Sequence, residues 1–263
     1  MISGAVRLFV FVLDTGIAIL GVLLASLADR DAKLAYKVAR IWAWLNVKLC
    51  DTRVTVRGLE HLDPTRSYVF MSNHRSNLDV LALVVGLWDF QLRWVAKEEL
   101  FHIPLFGWGL RATKQILVNR ADHAQAVASL ERARDRIRGG ISVVFFPEGT
   151  RSPGDQMLPF KKGGFVFAIE TGTPIVAIGI KGTARILPRD GWTVHEGGDV
   201  EVVVTPPIAT DGLTFADRDA LLARVERTIA ATVGAPPAPE RLRAAAPLAA
   251  AHATAPARSG TAR

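Results

Sequence analysis

His74 and Asp79 are the first side chains in this 263-residue chain whose types and spacing suggest chemistry. They lie in Asn73-His74-Arg75-Ser76-Asn77-Leu78-Asp79, directly after the apolar run Tyr68-Val69-Phe70-Met71-Ser72. Ser76 or Asn77 can cap a helix beginning near Leu78, which puts His74 on a loop and Asp79 in the first helical turn. A carboxylate beside an imidazole fixes its tautomer and stabilises the imidazolium formed when it takes a proton. The same spacing equally suits a structural loop histidine beside a helix cap. A second constellation, Phe146-Pro147-Glu148-Gly149-Thr150-Arg151, follows another apolar run. Pro147 ends a strand ladder, Gly149 permits a tight turn, and Glu148, Thr150 and Arg151 are presented together. Arg151 offers planar paired donors suited to a phosphate, and Lys161-Lys162-Gly163-Gly164 adds cations and a flexible loop. Taken alone, the segment also reads as a salt-bridged turn with a solvated lysine pair.

The elements that must hold these groups are short apolar runs alternating with helical stretches. Strands are expected at 53–57, 67–72, 92–96, 115–118, 142–146, 175–180 and 200–205, and helices near 78–87, 122–138, 163–171 and 215–232. Val143-Val144-Phe145-Phe146 and Ile175-Val176-Ala177-Ile178 lack polar alternation, as strands sandwiched between helices do. One α/β domain over 51–233 follows, with its sites at the strand ends.

The ends of the chain differ from this middle. Net charge is +7, yet residues 1–50 hold six Lys/Arg against three Asp/Glu and residues 234–263 hold four Arg against one Glu, so the middle carries +1. A basic nucleic-acid domain is thereby disfavoured, and basic charge beside an apolar N-terminus fits anionic lipid. Residues 1–28 carry only Arg7 and Asp14 as charges, and as a helix would be about 40 Å long, enough to reach well into a bilayer. Asp14 calls for a half-embedded pose or a buried partner. A cleaved leader ending at Ser26-Leu27-Ala28 and an ordinary buried helix are the competing readings. Lys33, Lys37, Arg40, Trp44 and Lys48 form a largely basic helical face, and Leu34, Val38, Ile41, Leu45 and Leu49 an apolar face beside it. Such a helix suits the membrane interface, and 1–50 is read as an anchoring hairpin. Residues 234–263, rich in Ala and Pro, read as a flexible tail.

Jointly, NHRSNLD at 73–79 and FPEGTR at 146–151 resemble the first and third motifs of the membrane glycerolipid acyltransferase family, whose best-known branch acylates 1-acyl-sn-glycerol-3-phosphate (lysophosphatidic acid). Lys97-Glu98-Glu99-Leu100, Ile103-Pro104, Phe106-Gly107-Trp108 and Asn119-Arg120 are similar to its second motif, and Thr173-Pro174-Ile175-Val176 to its fourth. The resemblance covers 70–185 in the expected order. Two positions depart from it: Lys114 stands where a glycine is expected, and Ala177 where many members carry a second proline. The resemblance implies a mixed, mostly parallel sheet flanked by helices, with a membrane-associated two-helix segment ahead of it. It implies His74 as general base, Asp79 as its orienting partner, and a phosphate cradle of Arg120, Glu148, Gly149, Thr150 and Arg151. Lys97, Lys114 and Lys161 are second-rank cations, and Glu148 is expected to orient an arginine or the acceptor's hydroxyl. The donor would be acyl-CoA or acyl carrier protein, with no cofactor and no metal, at the cytoplasmic face of the cell membrane. The rival acceptor is another lysolipid, such as a lyso-ornithine lipid. A thioesterase and a non-catalytic lipid-binding protein are the rival functions.

Other matches are weaker. Gly107-Trp108-Gly109-Leu110-Arg111-Ala112 fits a dinucleotide fingerprint, but no clean strand precedes it and Trp108 would crowd a pyrophosphate. His61, His102, His123, His195 and His252 lack metal-ligand spacing. Arg132, Arg134, Arg136 and Arg138 suit a solvated helix face with Val127, Leu130 and Ile137 inward. Cys50 is a lone cysteine, so neither an internal disulfide nor a multi-cysteine zinc site can form.

Overall fold

Strands that lack polar alternation can be accommodated only where both faces of a sheet are covered. The centre of the sheet here is built that way. The structure is a computed structural model that describes residues 4–29, 31–118, 140–191 and 197–236, with Ser129, Ala133, Arg134 and Ile137. Expectations for the helix at 122–138, for Arg120 and for most of the 234–263 tail lie outside those residues.

Helices α1 (Gly4–Ala28) and α2 (Lys33–Leu49) precede β1 (Thr52–Arg57), β2 (Val69–Ser72) and α3 (Leu78–Gly86). Next come β3 (Gln91–Lys97), α4 (Phe106–Ala112), β4 (Ile116–Val118) and β5 (Ile141–Phe145). The last elements are α5 (Gly163–Thr171), β6 (Ile175–Lys181), α6 (Thr183–Ile186), β7 (Gly198–Val204) and α7 (Arg218–Val233). Among the described residues, seven strands form one sheet in the order β1-β7-β6-β2-β5-β3-β4. Every pairing is parallel except β6 with β7, so β1 and β7 run opposite to the other five.

β2 and β6 are buried along nearly their whole length, whereas along β1 and β7 more buried positions alternate with more accessible ones. Because successive side chains point to opposite faces, the central strands feed two cores. Phe70, Val144, Val176 and Ile178 meet α2 and α3 through Tyr36, Ala43, Leu78 and Leu83. Val69, Met71, Val143, Phe145, Ile175 and Ala177 meet α5 and α7 through Phe165, Phe167, Leu221, Val225 and Ile229. Gly179 on β6 lets α7 approach closely, since a Cβ there would lie 2.1 Å from Thr232 Oγ1.

The two N-terminal helices pack on each other and leave large apolar side chains outside. Val6–Ala28 is long and apolar enough to cross a membrane by length and composition, and little of it is buried. α2 buries Tyr36, Ala43 and Val47 against the domain and Ala35 against α1, while Leu34, Ile41, Trp44 and Leu45 stay exposed. Asp14 has the partner its position demanded: Asn46 Nδ2 donates to Asp14 Oδ2 at 2.9 Å, and Trp42 Nε1 donates to Thr15 Oγ1 at 3.1 Å. The Gly107–Ala112 segment falls in α4 itself rather than in a strand-to-helix turn. Gly107 is required there because a Cβ would meet the Phe101 carbonyl oxygen at 2.1 Å.

Candidate active site

β2, β5 and β3 are parallel and end at the same edge, so the segments that follow them are brought together. The loop after β2 begins with Asn73, whose buried amide closes a pair of hydrogen bonds with the backbone of Ile180 on β6. Asn73 Nδ2 donates to Ile180 O at 2.9 Å and Ile180 N donates to Asn73 Oδ1 at 2.8 Å. This pins the loop at its root and presents His74 at the edge.

Asp79, 0% exposed in the first turn of α3, organises the loop. Its Oδ2 accepts the backbone amides of Arg75 (2.7 Å) and Ser76 (2.8 Å) and lies 3.0 Å from His74 Nδ1. Its Oδ1 accepts the Thr183 hydroxyl at 2.5 Å. Just ahead of α3, whose N-cap is Asn77, Ser76 Oγ accepts Leu78 N at 3.0 Å while its hydroxyl donates to Leu187 O at 2.6 Å. With an acceptor on one side, Nδ1 is the protonated nitrogen and Nε2 is left to take a proton. The ring is held flat as well: it stacks on Phe146 at 3.8 Å between centroids and 10° between planes, and Phe146 stacks in turn on Trp94 at 5.6 Å.

The 146–151 turn is tied to the same loop. Glu148, 3% exposed, accepts His74 N at 2.7 Å through Oε1 and Leu158 N at 2.8 Å through Oε2. Ser152 N donates to His74 O at 2.8 Å. Each of its oxygens accepts a backbone amide, which makes Glu148 a strut between the loops, and the Arg75 guanidinium is near enough for its charge to act on the carboxyl. Burial pushes its carboxyl up to about 7, against the opposing pull of those two amides. Gly149 adopts φ +77°, where a side chain would be strained and would strike the Lys161 stem, Cε lying 2.8 Å from a Cβ. Lys161 thus lies across the turn.

Arg151 is half-buried and donates to the Arg189 carbonyl beyond α6, while Thr150 is exposed at the tip. Lys97 is exposed at the C-terminal end of β3, on the His74 edge. Lys114 is not on that edge. It precedes β4 at the opposite end of the strand and lines a cavity of about 430 Å³ with Phe101, Arg111 and Gln115. Its φ of +56° explains the expected glycine: the chain turns left-handed here, and Lys114 holds the turn. His74, Asp79, Glu148, Gly149, Arg151 and Lys161 are therefore assembled together, and Lys114 is set apart. Among the described residues, no group of three or more His, Cys, Asp or Glu side chains could hold a metal.

Thr183, Asn73 and the Phe146 face were not singled out from the sequence. Thr183 follows Gly182 and begins a four-residue helix, and a threonine 104 positions from its partner leaves no spacing signal. The chemistry this constellation can perform is proton removal from a hydroxyl beside a cationic turn.

Comparison with known proteins agrees with the motifs. A family model described as Acyltransferase matches residues 53–181. A chloroplastic 1-acyl-sn-glycerol-3-phosphate acyltransferase of Brassica napus is 34% identical over 177 residues, 67% of this chain and 51% of that one. The chain thus spans about half the length of that relative. The alpha form of 1-acyl-sn-glycerol-3-phosphate acyltransferase from Mus musculus is 31% identical over 214 residues, 81% of this chain and 74% of the relative. The crystal structure of the 1-acyl-sn-glycerophosphate acyltransferase of Thermotoga maritima superposes with a TM-score of 0.72 at 26% identity, covering 92% of this chain and 96% of that one. With the matched region enclosing both motif loops and most of the sheet, the chain belongs to the glycerolipid acyltransferase family.

Proposed function

We propose that this protein transfers an acyl chain from a thioester, acyl-CoA or acyl carrier protein, to the free hydroxyl of 1-acyl-sn-glycerol-3-phosphate, giving phosphatidic acid. The observation that carries the reading is the His74–Asp79 pair locked against Phe146 beside the 146–151 turn. His74 Nε2 takes the proton of the acceptor hydroxyl as its oxygen attacks the thioester carbonyl. Asp79 stabilises the imidazolium, and that proton can be returned to the departing thiolate. Attack is direct, so no enzyme-bound acyl group is needed, in keeping with the lack of a Gly-x-Ser-x-Gly elbow in the sequence. The protein contributes positioning and a base, worth about 10²–10⁴-fold for the base alone, and no cofactor is required beyond the thioester. Arg151, Lys161 and Lys97 supply positive charge for the acceptor's phosphate, joined by Arg120 on the family resemblance. The exposed apolar surfaces of α1 and α2 fit attachment to the cytoplasmic face of the cell membrane, with the acceptor's tail left in lipid.

The test uses the purified full chain in detergent with radiolabelled acyl-CoA and a panel of lysolipids, including lysophosphatidic acid and a lyso-ornithine lipid. Acylation of lysophosphatidic acid that falls about 10²–10⁴-fold in His74→Ala is the expected result. No turnover of lysophosphatidic acid, or undiminished transfer in that variant, overturns the reading. Thiol release independent of acceptor would instead make it a thioesterase.

A further inference from the structure

Arg75 follows the proposed base directly, yet no role has been assigned to its side chain. Its backbone amide is fixed on Asp79, so the guanidinium leaves the loop one residue from His74. Nη2 donates to Asp155 Oδ1 at 2.6 Å, and the Nε–H is buried with no partner among the described residues. Asp155 sits in the Ser152-Pro153-Gly154-Asp155-Gln156 loop, and its carboxylate is 92% exposed against 33% for the Arg75 side chain. That loop leaves directly from the 146–151 turn, with Ser152 bound to the His74 carbonyl. A planar five-donor cation beside the base is thus held by one solvent-bathed carboxylate and retains an unsatisfied inward donor. Exposed ion pairs of this kind add little net stability, so a better anion can displace this one.

We infer that Arg75 binds the phosphate monoester of the acceptor, and that Asp155 is an intramolecular stand-in which the phosphate displaces. The inference rests on the proposed acyl transfer. The acceptor phosphate suits the position because its ester oxygen is on the carbon next to the one bearing the reacting hydroxyl. A group bound at His74 therefore brings its phosphate within an arginine's reach. A dianionic phosphate offers oxygens to several guanidinium donors at once, which the single contact to Asp155 does not. Asp155 keeps the guanidinium neutralised and the loop closed between turnovers.

Steady-state kinetics of the full chain separate the possibilities, with lysophosphatidic acid, phosphate-free monoacylglycerol and acyl-CoA each varied in turn. Arg75→Gln should raise KM for lysophosphatidic acid by about tenfold to a hundredfold, the range for a lost charge-assisted hydrogen bond, and leave monoacylglycerol unchanged. Asp155→Asn, at a fully solvated position that leaves folding intact, should lower KM for lysophosphatidic acid several-fold. It should do nothing further in the Arg75→Gln background. An unchanged acceptor KM in Arg75→Gln overturns the inference, as does a rise confined to acyl-CoA, which would assign the guanidinium to the donor's phosphates. A KM gain from Asp155→Asn that persists without Arg75 overturns the stand-in role. Failure of the wild type to acylate any lysolipid is a different result and sinks the parent proposal.

Discussion

Four donors converge on Asp79, and two of them are backbone amides of the very loop that carries His74. The carboxylate is thus both the partner of the imidazole and the reason the loop has its shape. The spacing of His74 and Asp79 was legible because helix geometry puts a first-turn side chain beside the preceding loop. Glu148 was legible as a member of the site but not as a strut, since its partners are the amides of residues 74 and 158. Burial holds its carboxyl near 7, above its ordinary 4.5. Between those two values the folded chain keeps a proton that the unfolded chain has released, so this group's contribution to stability is full below about 4.5 and is lost as pH rises through about 7. Glu148→Gln removes the titration. Its unfolding midpoint in urea should decline less than that of the wild type between pH 4.5 and 7, although the variant is less stable overall because a carboxamide accepts only one of the two amides. A variant whose pH profile runs parallel to the wild type would refute the assignment.

Among the strands and helices, all seven expected strands are present, each within about two residues of the expected ends. Apolar runs report burial faithfully because a strand covered on both faces has no solvent side to mark. For the same reason they do not report partners: nothing in Val200–Val204 says that β7 lies between β1 and β6 and runs against β6. Close approaches are equally silent in a single sequence. α7 packs so near β6 that Gly179 has no room for a methyl group, with Thr232 Oγ1 at 2.1 Å and Thr232 Cβ at 2.7 Å from a Cβ. Ile180, the next residue, holds Asn73 and with it the root of the His74 loop. Gly179→Ala should therefore lower stability by about 1–3 kcal/mol, as overpacking does, and reduce turnover as well. Thermal unfolding and acyl transfer measured on the same preparation check this. A stability loss with unaltered turnover would show that the Asn73 pin does not transmit the shift.

On the proposed function, the approach to lipid depends on surfaces that no single element supplies. α4 packs against α1, with Ile19 Cγ1 3.5 Å from where a Cβ of Gly109 would lie, so the apolar outside of the hairpin continues onto the segment after β3. There Leu100, Ile103, Leu105 and Trp108 are exposed, as are Leu20 and Leu24 on α1 and Ile41 and Trp44 on α2. The segment from Leu100 to Leu105 starts at the C-terminal end of β3, the edge that also carries His74. The domain is held to this hairpin by Arg93, a buried side chain on β3 that donates to Asp31 O between α1 and α2 at 2.8 Å and lies over the Tyr36 ring. Arg40 lies over the same ring and over Trp88. These contacts tie the hairpin to the sheet that carries His74, and on the proposed function the exposed apolar lip lies where an acceptor would leave the bilayer. Burying one large apolar side chain in lipid contributes about 1.5–3 kcal/mol, so two removed from the lip should be felt even with α1 in place. Ile103→Ser with Trp108→Ser is expected to raise KM at least tenfold for lysophosphatidic acid presented in anionic vesicles, while turnover of a short-chain acceptor in solution stays unchanged. Equal loss on both substrates would mean that the substitutions damage the fold, and no loss on vesicles would mean that α1 and α2 alone set the approach to the membrane.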